Sequence, residues 1–137
     1  MGAVSALRVL LDTHFLVWLA AGAGNLRGAE RAVIQGEDNE VLASAASIWE
    51  LRIKWAKQGR RSRTDDKTDP ERALTFADDA GIAIMPLTPA DCAASLEVAI
   101  SHSDPFDEML MIHAQRLGAR LLTRDRALLR HPLALQL

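Results

Sequence analysis

Short apolar runs alternate along this sequence with longer segments of helical pattern. Strand-length runs cover residues 6–11, 40–43, 82–87 and 120–123, and residues 133–137 are a candidate fifth strand. Helical patterns cover residues 15–21, 28–35, 70–80 and 105–117, and a further helix begins near Ser44 or Ser47. Such alternation favours an open parallel sheet with helices on both faces. The sequence therefore predicts an α/β fold of three layers, α/β/α, around a central parallel sheet of four to five strands.

Proline, threonine and glycine mark several helix ends. Pro70 and Pro105 suit the first turn of a helix, where a backbone N–H is not needed, and Thr88 suits the residue that caps a helix start. Gly81 and Gly118 suit the position that follows a last helical turn. We therefore expect helices to begin at Pro70, after Thr88 and at Pro105.

The composition is that of one globular domain. The chain has 137 residues, 49% of them hydrophobic and 25% charged, so we expect a single domain over residues 1–137 with a packed core. The formal net charge of −2 provides no argument for a nucleic-acid partner. No apolar run approaches the roughly 18 residues of a membrane-spanning helix, so no membrane association is expected. Cys92, the single cysteine, lies among small and apolar residues, which predicts a buried thiol in a protein of the reducing cytoplasm.

Acidic residues stand where the predicted fold concentrates its chemistry. Asp12 and Asp125 each follow an apolar strand, and Glu50, Asp104 and Asp107 lie near the starts of helices. The carboxyl ends of parallel strands meet at one edge of the sheet, so these carboxylates are expected to converge. Converging carboxylates repel one another unless a cation lies between them, and oxygen ligands favour Mg²⁺ or Mn²⁺. Such ions can activate water and stabilise the charge that develops when a phosphodiester is cleaved.

Each of these acids also has an ordinary structural explanation. Asp12 and Asp104 can cap the helices that follow them, and Asp125 can begin a turn. Glu50 can pair with Lys54 one helical turn later. The joint pattern favours the metal site, because an acid follows an apolar strand twice and the others begin helices.

Four motifs that contain these acids resemble a known family. They are, in chain order, Leu-Leu-Asp-Thr-His, Ser-Ile-Trp-Glu-Leu, His-Ser-Asp-Pro-Phe-Asp-Glu-Met-Leu and Leu-Leu-Thr-Arg-Asp. In order and spacing, over nearly the whole chain, they resemble the acidic motifs of PIN-domain VapC toxins from bacterial toxin–antitoxin pairs. The resemblance implies a ribonuclease that hydrolyses RNA phosphodiester bonds with a catalytic, metal-binding quartet around Mg²⁺ or Mn²⁺, formed by Asp12, Glu50, Asp107 and Asp125.

The resemblance also assigns neighbouring residues and partners. Asp12 and Asp107 would be the most direct metal ligands, and Thr13, Asp104 and Thr123 can orient carboxylates or water, although capping and strand-end roles explain these three equally well. The implied substrate is structured RNA, often tRNA. The implied partners are a VapB-type antitoxin that covers the acidic cleft and a second copy of the chain in a homodimer. Helices around residues 15–20 and 49–55 are candidate dimer seams, although burial in the core explains them as well.

One residue departs from the family pattern. Glu108 occupies a position where related toxins often carry Arg. It either adds a fifth carboxylate near the site or points to solvent.

The segment from Arg52 to Lys67 is basic within a slightly acidic protein. Its positive charges would attract RNA phosphates, and they are equally typical of a solvated helix end. The candidate RNA-binding residues are Lys54, Lys57, Arg60 and Arg61. The main alternative function is a catalytically silent PIN-like module for RNA binding or protein interaction, which would have no need of four converging acids.

Overall fold

The computed structural model describes residues 6–22, 24–58, 68–101 and 104–137. Within these residues four strands form one parallel sheet in the order β3-β2-β1-β4. The strands are β1 Arg8–Leu11, β2 Glu40–Ser44, β3 Ala83–Met85 and β4 Arg120–Leu122. The helices are α1 Thr13–Ala20, α2 Gly28–Gln35, α3 Ala45–Gln58, α4 Pro70–Ala80, α5 Pro89–Ala93, α6 Pro105–Leu117 and α7 Arg126–Leu129.

Helices cover both faces of the sheet, as side-chain packing on β1 shows. Val9 and Leu11 point into a cluster with α1, α3 and α4, whereas Leu10 points into a second cluster with α6 and α7. All three side chains are fully buried. Successive strand residues face opposite sides, so the consecutive apolar residues Val9, Leu10 and Leu11 are buried on both faces. The predicted three-layer α/β/α fold is confirmed.

The helix ends follow the predicted local signals. Gly81 and Gly118 end α4 and α6 with φ of 74° and 63°, in the left-handed region that favours glycine. Pro70 and Pro105 begin their helices, and the Thr88 hydroxyl caps α5 by accepting the Asp91 N–H.

Two local predictions are wrong. Residues 133–137 form no strand, because their bridge to the sheet is confined to Leu121 and Ala134, and β4 is too short to extend the pairing. Cys92 is exposed rather than buried. It follows Asp91 on α5, and Asp91 occupies the inward face of this short helix, so the next residue points to solvent.

The described helices also bear on membrane association. None of those in residues 6–22, 24–58, 68–101 and 104–137 combines the length and apolar character that crossing a bilayer requires.

Candidate active site

Asp12 directly follows β1, which lies between β2 and β4. Its backbone N–H donates to the Leu122 carbonyl at 3.0 Å, and its Oδ1 accepts the Phe15 N–H at 3.1 Å and caps α1. The residue is only 7% exposed. Burial raises the pKa of its carboxyl, and smaller opposing effects come from hydrogen bonds with Thr123 and the Phe15 backbone and from the nearby His14. A cation beside this buried carboxylate would therefore stabilise its charged form.

Thr13 connects the end of β1 to α3. Its hydroxyl lies 2.7 Å from Oε1 of Glu50 and 2.9 Å from the Ser47 hydroxyl. A threonine hydroxyl has one proton, and the carboxylate can only accept, so Thr13 donates to Glu50 and accepts from Ser47. All three residues are buried. Glu50 is thus held against the segment that carries Asp12.

The second oxygen of Glu50 is paired with Lys54. The Lys54 Nζ lies 2.6 Å from Oε2, one helical turn further along α3. This ion pair is the structural role that the sequence offered for Glu50 as the alternative to metal binding. Lys57 lies in the last turn of the same helix and is exposed, whereas Arg60 and Arg61 fall outside the described residues.

Thr123 connects Asp12 to the turn that follows β4. Its side chain is hydrogen-bonded to Asp12, and its Oγ1 accepts the Asp125 N–H at 3.1 Å. Asp125 is exposed and caps α7 by accepting the Ala127 N–H at 2.9 Å. The buried hydroxyl therefore lies between two of the predicted acids.

The remaining acids lie at the start of α6. Asp104 is exposed and caps this helix through the N–H groups of Phe106 and Asp107, and Asp107 is half-buried in the first turn. Because α6 leads through Gly118 into β4, the helix runs back along the sheet and its first turn lies at the edge where the strands end. Glu108, the next residue of the same turn, is exposed.

The family model of the PIN domain matches residues 9–132. The chain belongs to the PIN-domain family. No curated protein matches the chain. PIN domains are generally nucleases, and these nucleases typically use divalent metal ions.

The donor set of this PIN domain fits such an ion in its chemistry. The side chains at the carboxyl edge of the sheet offer carboxylate and hydroxyl oxygens, which are the ligands of Mg²⁺ and Mn²⁺. The Thr123 hydroxyl contacts the Asp12 side chain and the Asp125 backbone N–H, and the Thr13 hydroxyl donates to Glu50. Over the described part of the chain, no three or more His, Cys, Asp or Glu side chains lie close enough together to hold a metal ion. Over these residues the predicted acids therefore do not form a closed coordination shell.

One charged residue beside the PIN-domain site was not singled out from the sequence. Arg124, between Thr123 and Asp125, pairs with Glu30 of α2 at 2.8 and 2.6 Å, and its guanidinium lies 4.4 Å from the centre of the Trp18 ring. Glu30 is 3% exposed, and the bonds from Arg124 lower the pKa of its carboxyl. The sequence carried no signal for this pair, because Glu30 is an ordinary acid in the first turn of an amphipathic helix.

Proposed function

We propose that this PIN domain is a Mg²⁺- or Mn²⁺-dependent endoribonuclease and the VapC-type toxin of a type II toxin–antitoxin pair. Its catalytic quartet is Asp12, Glu50, Asp107 and Asp125. The observation that supports the proposal most is the burial of Asp12 at the end of the central strand, with a raised pKa, in a family of nucleases. A cation bound beside this carboxylate would offset the cost of burying its charge.

Some residues of the site would bind the ion, and others orient the carboxylates that bind it. Asp12, Glu50, Asp107 and Asp125 would hold the ion, which when bound activates water and stabilises charge on the phosphodiester. Thr13 fixes one oxygen of Glu50, and the Phe15 N–H fixes one oxygen of Asp12. These hydrogen bonds hold each carboxylate in one orientation.

The substrate proposal is RNA, with tRNA as one candidate. Exposed cations on α3 support it, since Arg52, Lys54 and Lys57 are exposed on the helix that carries Glu50. Phosphate contacts of this kind position a nucleic acid and weaken as salt concentration rises.

The partner proposals are a VapB-type antitoxin and a homodimer. The segment around residues 15–20 is a poor candidate for the dimer interface, because Phe15 and Leu16 are fully buried in the core. Trp49 on α3 is 57% exposed and lines a cleft of about 770 Å³ with Trp55 and Leu74. Large exposed aromatic side chains are typical of interfaces. Light scattering should show a dimer that Trp49→Asp converts to a monomer, whereas Leu137→Asp, at another exposed apolar residue, leaves it intact.

The decisive experiment is RNA cleavage by purified, antitoxin-free protein. Total RNA is incubated in Mg²⁺ or Mn²⁺, with EDTA as one control, Asp12→Asn as the site variant and Asp78→Asn, an exposed aspartate of α4, as the matched variant. We expect cleavage that is lost in EDTA and in Asp12→Asn, persists in Asp78→Asn and is suppressed by the cognate antitoxin. Absence of cleavage in either ion, with the fold intact by circular dichroism, would favour the catalytically silent binding module.

A further inference from the structure

An exposed histidine stands two residues after Asp12. His14 lies in the first turn of α1 and is exposed, whereas the next two residues, Phe15 and Leu16, are fully buried. Burial raises the pKa of the Asp12 carboxyl, and the proximity of His14 is one of the smaller effects that oppose this rise. The His14 imidazole therefore lies beside the acid that follows β1 and is open to solvent.

The His14 ring packs against a restrained aromatic side chain. Its centre lies 5.9 Å from that of the Trp18 ring, one helical turn later, and the two planes are inclined by 31°. Phe15 packs edge to face against Trp18 with ring centres 5.1 Å apart, and the Arg124 guanidinium lies 4.4 Å from the Trp18 ring centre. Because Phe15 is buried and Arg124 is paired with Glu30, these contacts limit the movement of Trp18. His14 thus presents a planar group that is partly ordered before any ligand binds.

A planar side chain in this place suits an unpaired base of RNA. Unpaired bases stack on the rings of Phe, Tyr, Trp and His, whereas bases in a duplex are already stacked on their neighbours. A phosphodiester that binds beside Asp12 carries a nucleotide on each side. Since His14 is two residues from Asp12 and faces solvent, one of the two bases can lie over its ring.

We propose that the His14 imidazole, backed by Trp18, stacks on one unpaired nucleobase of the RNA next to the phosphate at Asp12. This inference rests on the proposed function, because it takes RNA as the substrate and Asp12 as part of the site. A base must leave its own stack before His14 can contact its face, and this costs least where the base is unpaired. The substrate is thus an unpaired strand or loop, and every base offers a face for stacking.

RNA affinity tests the stacking contact without relying on cleavage. All proteins carry Asp12→Asn, so that the RNA stays intact, and binding of a short fluorescein-labelled single-stranded RNA in Mg²⁺ is measured by anisotropy. The added changes are His14→Leu, which removes the plane, and His14→Phe, which keeps it. Gln35→Leu is the matched control, because Gln35 is exposed at the end of α2, which leads to the opposite edge of the sheet where β2 begins.

The expected pattern separates stacking from other contacts. His14→Leu should weaken binding of the single strand about 5- to 20-fold, whereas His14→Phe and Gln35→Leu should stay within about 2-fold of the parent. Duplex RNA of the same length should bind all four proteins alike. Equal single-strand affinities for His14→Leu and Gln35→Leu, or an equal loss on duplex RNA, would overturn the inference and leave the proposed function intact. Absence of RNA binding by all four proteins, with each fold intact by circular dichroism, would overturn both.

A second measurement locates the stacked base. The same single strand is prepared as a series in which one nucleotide at a time lacks its base. One of these positions should weaken binding to the parent protein and have little further effect on His14→Leu, because the contact is already lost there. If every abasic position weakens both proteins to the same degree, no base stacks on His14 and the inference is rejected.

Discussion

Arg124 and Glu30 form a two-pronged ion pair across 94 positions of the chain, at 2.8 and 2.6 Å. The pair joins the first turn of α2 to the turn after β4, where Arg124 lies between Thr123 and Asp125. The Glu30 side chain is 4% exposed and the Arg124 side chain 25% exposed, so Glu30 depends on the guanidinium for its charge. The same guanidinium stacks on Trp18 of α1. Three separate segments therefore meet at one side chain beside the candidate site.

Arg124→Ala should lower the free energy of unfolding by about 3 kcal/mol, because it leaves a buried carboxylate without its counter-charge. Chemical denaturation measures the loss, with Arg72→Ala, an exposed residue of α4, as the control. The control should stay within about 0.5 kcal/mol of the wild type. If both variants are equally stable, the ion pair has no structural importance.

Thr13→Val should destabilise the protein by about 1–3 kcal/mol, because the buried Glu50 carboxylate loses the hydroxyl that donates to it. Thr13→Ser keeps the hydroxyl and should recover most of this loss. Thr75→Val is the matched control, since Thr75 is exposed and its hydroxyl donates to the Glu71 carbonyl one turn earlier in α4. A Thr13→Val protein as stable as Thr75→Val would contradict the role given to Thr13.

Asp12→Asn should stabilise the metal-free protein by about 1 kcal/mol while it abolishes nuclease activity. Burial raises the pKa of Asp12, so the folded state holds this proton more tightly than the unfolded state. Ionisation therefore destabilises the fold as pH rises past the ordinary pKa, and a neutral amide removes the penalty while still capping α1.

Thermal unfolding at neutral pH in EDTA tests whether Asp12→Asn is more stable than the wild type. Mn²⁺ should then raise the melting temperature of the wild type and leave that of Asp12→Asn unchanged. An Asp12→Asn protein less stable than the wild type in EDTA would mean that the carboxylate is held by favourable contacts rather than destabilised by burial.

The ionisation of Asp91 should make the free energy of unfolding depend on pH under acidic conditions. A hydrogen bond from the Thr88 backbone and one from Arg116 lower the pKa of its carboxyl from 3.8 to about 2. For an acid with a depressed pKa, the contribution to stability is complete above pH 4 and disappears as pH falls toward 2. Unfolding free energies of the wild type and Asp91→Asn should differ most above pH 4 and converge near pH 2. A difference that stays constant from pH 5 to pH 2 would reject this assignment.

Local signals in the sequence predicted most of the architecture. Gly118 and Pro105 act through their own backbone geometry, and the apolar run of β1 is itself the signal of a buried strand, so each could be predicted from its local sequence. The apolar run of residues 6–11 placed Asp12 at a strand end in the same way, before any family resemblance was considered.

Features that depend on distant contacts were not predicted. Glu30 meets Arg124 only after the chain has folded, and the exposure of Cys92 depends on the direction in which the short α5 faces. Residues 133–137 have a strand-like composition, but the brevity of β4 leaves them little to pair with.

The pairing of β1 with β4 has a consequence for the synthesis of this protein. Val9 to Leu11 lie beside Arg120 to Leu122, so β1 cannot complete its pairing in the sheet until residues 120–122 have been made. Asp12 and Asp125 cannot lie at a common edge while residues 120–125 are still inside the ribosome. In the proposed nuclease, the edge that would carry Asp12 and Asp125 is therefore incomplete until residues 120–125 have been made and have joined the sheet.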